Sequence, residues 1–173
     1  MSLFVVDVES DGPCPGLYSM VSFAAVKVSK SLDEHFYAET SPVTNKFVPE
    51  ALAISCPSRE LHISYPEPKE AMENFKEWIH STNEGSRPVF TSDNLAFDWQ
   101  WINYYFHRFV GENPFGYSGR RIGDIWCGLK GNTSASWKHL RDTPHDHNPL
   151  NDAIGNAEAL IKMKDYGLSG ISL

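Results

Sequence analysis

The order of apolar and polar residues along the chain predicts strands first and helices later. Residues 3–8 are almost continuously apolar and rich in β-branched side chains, which is typical of a buried strand. Residues 18–28 and 34–39 continue as strands on either side of a tight turn at residues 29–33. The first part of the chain is therefore predicted to form an antiparallel meander.

Helical spacing of apolar residues follows in later segments. The pattern predicts helices at residues 48–54, 66–81, 96–110 and 150–165, with Gly167 ending the last. A short strand is predicted at residues 89–91, and residues 120–126 fit either a strand or a strand that passes into a helix. Helices that alternate with short strands after a meander indicate an α/β fold with a mixed sheet. At 173 residues the chain is predicted to form a single domain spanning residues 1–173.

Net charge, apolar run length and cysteine spacing argue against several classes of function. The formal net charge of −7 argues against a protein that grips long duplexes by neutralising phosphates, but not against an enzyme that holds one strand end. No apolar run reaches the length of a membrane span, and the first apolar run is too short for a signal peptide. Three cysteines without metal-type spacing are expected to be reduced thiols in a cytoplasmic protein.

The first strand ends in two acidic residues, Asp7 and Glu9. On a strand this spacing puts both carboxylates on one face, roughly 6.6 Å apart along the backbone. Two anions at the end of an apolar strand repel each other and are costly to desolvate, so a divalent cation bound by oxygen ligands is the simplest partner. From this stretch alone, two carboxylates that enter solvent at the strand end explain the pattern equally well.

Other candidate residues are ordinary when taken singly. Asp98 follows a buried strand and fits a solvated acid at the edge of an aromatic helix. Asp152 fits an acid in the first turn of a helix, where it favours the helix dipole. His147 alone fits a loop histidine without a role. A zinc site built on His139, His145 and His147 is disfavoured, because no matching cysteine or histidine pair exists elsewhere.

Their combination is more specific. Asp7-x-Glu9, Asn94-x-x-Phe97-Asp98 and His147-x-x-x-x-Asp152 occur in this order. The set resembles the DEDDh 3′–5′ exonucleases, the DnaQ-like and RNase T-like group that includes oligoribonuclease and the polymerase proofreading subunits. The resemblance covers residues 4–164 and implies an RNase H-like mixed sheet, an antiparallel meander plus parallel strands, flanked by helices. The chain departs from the family at four positions that bear on substrate preference: Asp11, Asp93 (where many relatives have histidine), Pro149 and Asn151.

The resemblance implies a role for each motif residue in a site with two divalent ions, Mg²⁺ or Mn²⁺. Asp7 would bridge both ions, Glu9 and Asp152 would complete the site of the ion that activates water, and Asp98 would act on the second ion. His147 would be the general base, since an imidazole exchanges protons near neutral pH. His145 in an extended loop would point to the same side but sit roughly 6.6 Å further back, which favours His147.

The expected activity is 3′–5′ hydrolysis of single-stranded nucleic acid with release of nucleoside 5′-monophosphates. RNA is the favoured substrate, because small stand-alone members of this group often process RNA, and a homodimer is expected because such members often dimerise. A stand-alone DNA exonuclease and a non-catalytic nucleic-acid-binding domain on the same fold stay open as alternatives. The candidate substrate contacts are backbone groups of Ser10, Asp11 and Gly12, together with Asn94 and Phe97, although Phe97 also fits the core.

Overall fold

A five-stranded mixed sheet is the centre of the computed structural model, which describes residues 2–85 and 87–171. Its strands, in chain order, are β1 (Leu3–Ser10), β2 (Met20–Lys27), β3 (His35–Glu39), β4 (Val89–Ser92) and β5 (Gly119–Arg121). The order across the sheet is β3-β2-β1-β4-β5. The pairs β1–β2 and β2–β3 are antiparallel, whereas β1–β4 and β4–β5 are parallel. The predicted α/β fold with a mixed sheet is confirmed, and β1 is the middle strand.

Helices cover both faces of the sheet. They are α1 (Pro49–Ser55), α2 (Arg59–Ile63), α3 (Pro68–Thr82), α4 (Leu95–Phe109), α5 (Ile122–Lys130) and α6 (Pro149–Lys162). Two short 3₁₀ helices add residues 138–140 and 163–166. Among the residues that the structure describes, no helix is both long and apolar enough to cross a bilayer.

Two elements differ from the prediction, and a third decides between two predicted alternatives. Helix α2 was not predicted; it begins where the Ser58 side chain accepts a hydrogen bond from the Leu61 N–H at 3.1 Å. For residues 120–126 the second alternative is right, because β5 ends at Arg121 and α5 follows directly. The last α-helix ends at Lys162 and continues as a 3₁₀ turn up to Gly167, whose φ of 100° stops it.

The two faces of β1 pack against different layers. Phe4, Val6 and Val8 join the aromatic core under α3 and α4, whereas Leu3 and Val5 join the core under α5 and α6. Because side chains alternate along a strand, Asp7 and Glu9 lie on the same side as Leu3 and Val5. The two carboxylates are therefore directed toward the layer that contains α6.

Strand β4 is shorter than β1 and ends beside it. It pairs only with the first three residues of β1, with Val5 opposite Thr91 as the last pair. The second half of β1 therefore has no strand on that edge, and its free backbone groups need other partners. Helix α4 begins three residues after β4 ends, and it supplies one hydrogen-bond partner for these backbone groups.

Candidate active site

Three carboxylates meet at the carboxyl end of β1. Asp7 and Glu9 extend from one face of the strand, and Asp152 extends from the first turn of α6. One carboxylate oxygen from each lies within 4.8 Å of the others. The alternative in which the strand-end acids simply enter solvent is excluded, because Asp152 is buried and Glu9 is mostly buried against it.

Asp98 joins the site from α4. Its side chain is buried, with 3% of the residue exposed, so it is not a solvated acid at the edge of the helix. Oδ1 of Asp98 accepts a hydrogen bond from the backbone N–H of Val8 at 3.2 Å. Asp98 therefore replaces the strand partner that β4 no longer provides, and it lies next to the strand residue between Asp7 and Glu9.

Burial and mutual repulsion raise the pKa values of these acids. The pKa of Asp7 is well above its usual range, first because of burial and then because Asp98, Asp152 and Glu9 lie close; the Arg141 guanidinium opposes this shift. Burial, followed by the charge of Asp152, raises the pKa of Glu9 to about 7. Burial also raises the pKa of Asp98 to about 8. Bound cations would favour the ionised forms at neutral pH, and an all-oxygen donor set suits Mg²⁺ or Mn²⁺.

Arg141 is a site residue that no sequence motif indicated. Its Nη2 lies 2.7 Å from Oδ1 of Asp152, and its Nη1 lies 3.3 Å from Oδ1 of Asn156. Both members of the Arg141–Asp152 pair are buried. Gly155 leaves space for the guanidinium, because a Cβ at that position would lie 2.6 Å from Nε of Arg141. A glycine inside the helix was the one sequence signal of this close approach.

Helix α6 also fixes the loop that carries the histidines. The Glu158 carboxylate accepts hydrogen bonds from the backbone N–H groups of Asp142 and Thr143 at 2.9 and 2.8 Å. At the other end of the loop, Asn148 caps α6 by accepting from two backbone N–H groups of its first turn. Between these anchors, His147 has a φ of 61° and donates its N–H to Oδ2 of Asp152 at 3.1 Å.

The two loop histidines contact different acids. Nδ1 of His145 lies 2.7 Å from Oδ2 of Asp152, whereas Nδ1 of His147 lies 3.7 Å from Oε1 of Glu9. The centroids of the two rings are 4.3 Å apart. The loop is bent rather than extended, so reach along the chain does not distinguish His145 from His147. The choice of His147 as base therefore depends on its spacing from Asp152 and on its contact with Glu9.

A cavity of about 530 Å³ opens over these groups. Its lining includes Asp7, Glu9 and Asp98 together with both histidines. Four of the predicted substrate contacts, Ser10, Gly12, Asn94 and Phe97, also line it. The rest of the lining consists of the apolar residues Val8, Pro13, Val48, Ala51 and Ile54 and of the charged residues Asp93 and Lys138. Of these, only Asp93 was singled out from the sequence as a position that bears on substrate preference.

Asp11 is the exception among the predicted substrate contacts. It is fully buried, and its carboxylate accepts from the Ser19 N–H at 2.6 Å and pairs with Arg59 at 2.7 Å. Its own N–H donates to the Ser19 carbonyl, and its carbonyl accepts from the Val48 N–H. With these groups occupied, Asp11 joins the turn after β1 to the segments at Val48 and Arg59, and it does not line the cavity.

The chain is similar in sequence to a known exonuclease. No protein-family model matches the sequence. The chain is 39% identical over 165 residues to "3′-5′ DNA exonuclease Cap18" of Escherichia coli, and the match covers 88% of this chain and 86% of that protein.

Solved structures with sequence identity of 11–17% share the fold. The nuclease domain of 3′hExo, described as a DEDDh family member bound to rAMP, has a TM-score of 0.74 at 11% identity, over 96% of this chain and 92% of that one. Cell-death related nuclease 4 has a TM-score of 0.75 at 16% identity, over 96% and 64%. E. coli Exonuclease I in complex with a dA16 oligonucleotide has a TM-score of 0.70 at 17% identity, over 95% and 41%. With the DNA exonuclease relative and the acidic motifs in place, the chain belongs to the DEDDh 3′–5′ exonucleases.

Proposed function

We propose that this protein is a metal-dependent exonuclease that removes nucleotides from the 3′ end of single-stranded DNA and releases nucleoside 5′-monophosphates. The observation that carries the proposal is the meeting of the Asp7, Glu9 and Asp152 carboxylate oxygens within 4.8 Å, with Asp98 bound to the same strand. The family resemblance favoured RNA, but the relative that is 39% identical is named a DNA exonuclease, so DNA is the preferred substrate in this proposal.

The four acids fit a pair of divalent ions. Asp7, Glu9 and Asp152 would hold one ion, and Asp98 together with Asp7 would hold the second. The fit is supported by the donor set, which consists of carboxylate oxygens, and by the raised pKa values of Asp7, Glu9 and Asp98. When bound, such ions supply a nucleophilic hydroxide and offset the charge that develops on the phosphate.

The side chains around the acids would orient the site and move a proton. His147 would accept the proton of the attacking water at its imidazole, and Glu9 lies where it can orient the ring. Arg141 holds Asp152 from the buried side of α6, so the carboxylate keeps one position in the site. His145 would help to hold the other oxygen of Asp152.

The rest of the cavity suits the terminal nucleotide of a single strand. Phe97, Ala51 and Ile54 in the lining provide apolar surface for a base. Ser10 and Gly12 lie at the end of β1, where their backbone groups would contact the terminal sugar. Gly12 is held against the Tyr18 ring, since an added Cβ would lie 2.2 Å from it, so this turn has a fixed shape.

Product analysis on end-labelled oligonucleotides tests the proposal. Single-stranded DNA, the matching RNA, a blunt duplex and a circular strand are incubated with the protein and Mn²⁺ or Mg²⁺, with chelator as control. The proposal predicts early release of labelled mononucleotide only from 3′-labelled linear DNA. Preferential release from RNA would restore the exoribonuclease hypothesis, and binding without any cleavage would favour the non-catalytic domain. The cytoplasmic location and the homodimer stay predictions.

A further inference from the structure

Lys138 is the one lysine or arginine among the described residues that line the catalytic cavity. It begins the 3₁₀ turn at residues 138–140, and the backbone there is anchored by the buried side chains of Trp137 and Leu140. Apart from the two histidines, the other ionisable side chains of the lining are the carboxylates of Asp7, Glu9, Asp93 and Asp98. A polyanionic strand that enters this cavity meets one positively charged side chain outside the metal site.

Lys138 forms an ion pair with Asp93, which lies between β4 and α4. The pair joins the start of α4 to the 3₁₀ turn before the histidine loop. About half of the Lys138 side chain and a quarter of the Asp93 side chain are exposed, so the pair adds little to stability.

We propose that Lys138 binds a backbone phosphate of the substrate strand, and that Asp93 holds the ammonium in position when no strand is bound. The inference rests on the proposed function and adds a phosphate-binding position to it. Lysine suits this role because its ammonium is a point charge with three donors on a flexible stem. When the strand binds, the Lys138 ammonium leaves the Asp93 carboxylate and pairs with a phosphate. Asp93 then weakens binding, because its charge repels the same phosphate.

This exchange predicts opposite changes in KM for substitutions of Lys138 and of Asp93. Lys138→Ala raises KM for single-stranded DNA roughly tenfold with kcat nearly unchanged, as expected for the loss of a charged hydrogen bond to the bound strand. The slope of log Kd against log salt falls by roughly 0.7, the value for one phosphate contact on a single strand. Asp93→Asn lowers KM, because it removes the competitor for Lys138, and this effect disappears in the Lys138→Ala background.

Lys69 and Glu73 provide matched controls. They form a Lys–acid pair at 3.8 Å on α3 with both side chains at least half exposed. Lys69→Ala and Glu73→Gln change the net charge as the test variants do, and they leave KM and the salt slope unchanged. A general charge effect would move both pairs of variants alike and would overturn the assignment.

Binding is measured separately from cleavage, by fluorescence anisotropy of a 3′-ended DNA oligonucleotide with each variant in an Asp7→Asn background. If the wild type cleaves no strand but Lys138→Ala still weakens binding in this assay, the phosphate site stands and the proposed activity falls. If the wild type cleaves DNA while Lys138→Ala and Asp93→Asn shift KM in the same direction, or shift only the melting temperature, the pair is structural and the inference is wrong.

Discussion

The backbone N–H of Val8 donates a hydrogen bond to Oδ1 of Asp98 at 3.2 Å, although 90 residues separate them in the chain. Val8 lies between Asp7 and Glu9, so this bond fixes α4 against the part of β1 that carries both acids. The bond exists because β4 stops short of Val8 and leaves that edge of β1 unpaired. One residue thus completes the sheet edge and places the fourth carboxylate.

Two substitutions of Asp98 separate these roles. Asp98→Asn keeps an oxygen acceptor for the Val8 N–H but removes the charge, so activity is expected to fall roughly 10²-fold or more while stability is largely retained. Asp98→Ala also leaves a buried N–H without a partner, which costs about 1–3 kcal/mol of unfolding free energy. Denaturant unfolding and initial rates measure both effects. Equal stability of the two variants would show that the hydrogen bond between Val8 and Asp98 does not contribute to the free energy of unfolding.

The histidine loop gives a second prediction. His147→Ala should lower the rate roughly 10²–10⁴-fold, as is typical for loss of a general base, while the metal-induced shift in melting temperature survives. His145→Ala should lose far less activity, because His145 holds Asp152, which Arg141 also holds. Greater damage from His145→Ala would move the role of base to His145.

The acidic site should make metal-free stability depend on pH. The pKa of Glu9 is raised to about 7 and that of Asp98 to about 8, mainly by burial, so the folded protein keeps protons that the unfolded chain releases near its ordinary values. More protons on the folded state mean that stability falls as pH rises. With chelator present, the contribution of Glu9 and Asp98 to the free energy of unfolding should therefore decrease from about pH 4 to about pH 8.

Asp7→Asn isolates this contribution in melting experiments. It removes one of the repelling charges, so the metal-free variant should melt above the metal-free wild type at pH 8, and the difference should shrink toward pH 5. Added Mn²⁺ should raise the melting temperature of the wild type and not that of the variant. A metal-free wild type that gains stability relative to Asp7→Asn as pH rises would contradict the repulsion among these acids.

Gly155 gives a prediction about the support of the site. A Cβ at this position would lie 2.6 Å from Nε of Arg141 and 2.7 Å from the Thr143 carbonyl, which is backbone and cannot move without the loop. Gly155→Ala should therefore cost about 1–3 kcal/mol of stability and lower activity by displacing Arg141 from Asp152. Gly128→Ala is the matched control on α5, where no atom lies within 4 Å of the added Cβ, and it should stabilise by roughly 0.5–1 kcal/mol. Unfolding curves of the two variants measure the difference.

That the four acids lie close together was predictable from two signals, the strand period and the order of the motifs. Asp7 and Glu9 had to share a face of β1, and the motif spacing paired them with Asp98 and Asp152. The burial of Asp98 was not predictable, since it depends on where β4 ends relative to β1. Arg141 was missed for a similar reason: its contact with Asp152 forms when the loop folds back on α6, and no residue spacing encodes that path.

Asp11 shows the opposite error. Its place beside the acidic pair made it a candidate substrate contact, yet its carboxylate is directed away from the cavity and pairs with Arg59. Arg59 lies on α2, the helix that the apolar pattern did not predict because it is five residues long. A contact made by a missed element cannot be inferred from neighbours in the sequence.

The most direct test of the central claim is a time course of DNA cleavage by the wild type and by Asp7→Asn in Mn²⁺. Single-stranded DNA labelled at the 3′ end is compared with the same strand labelled at the 5′ end. The two-ion exonuclease site predicts that the wild type releases labelled mononucleotide at once from the 3′-labelled strand and shortens the 5′-labelled strand stepwise. Asp7→Asn, folded by its melting curve, should do neither. Early mononucleotide release from the 5′ label, or full activity of Asp7→Asn, would contradict the claim.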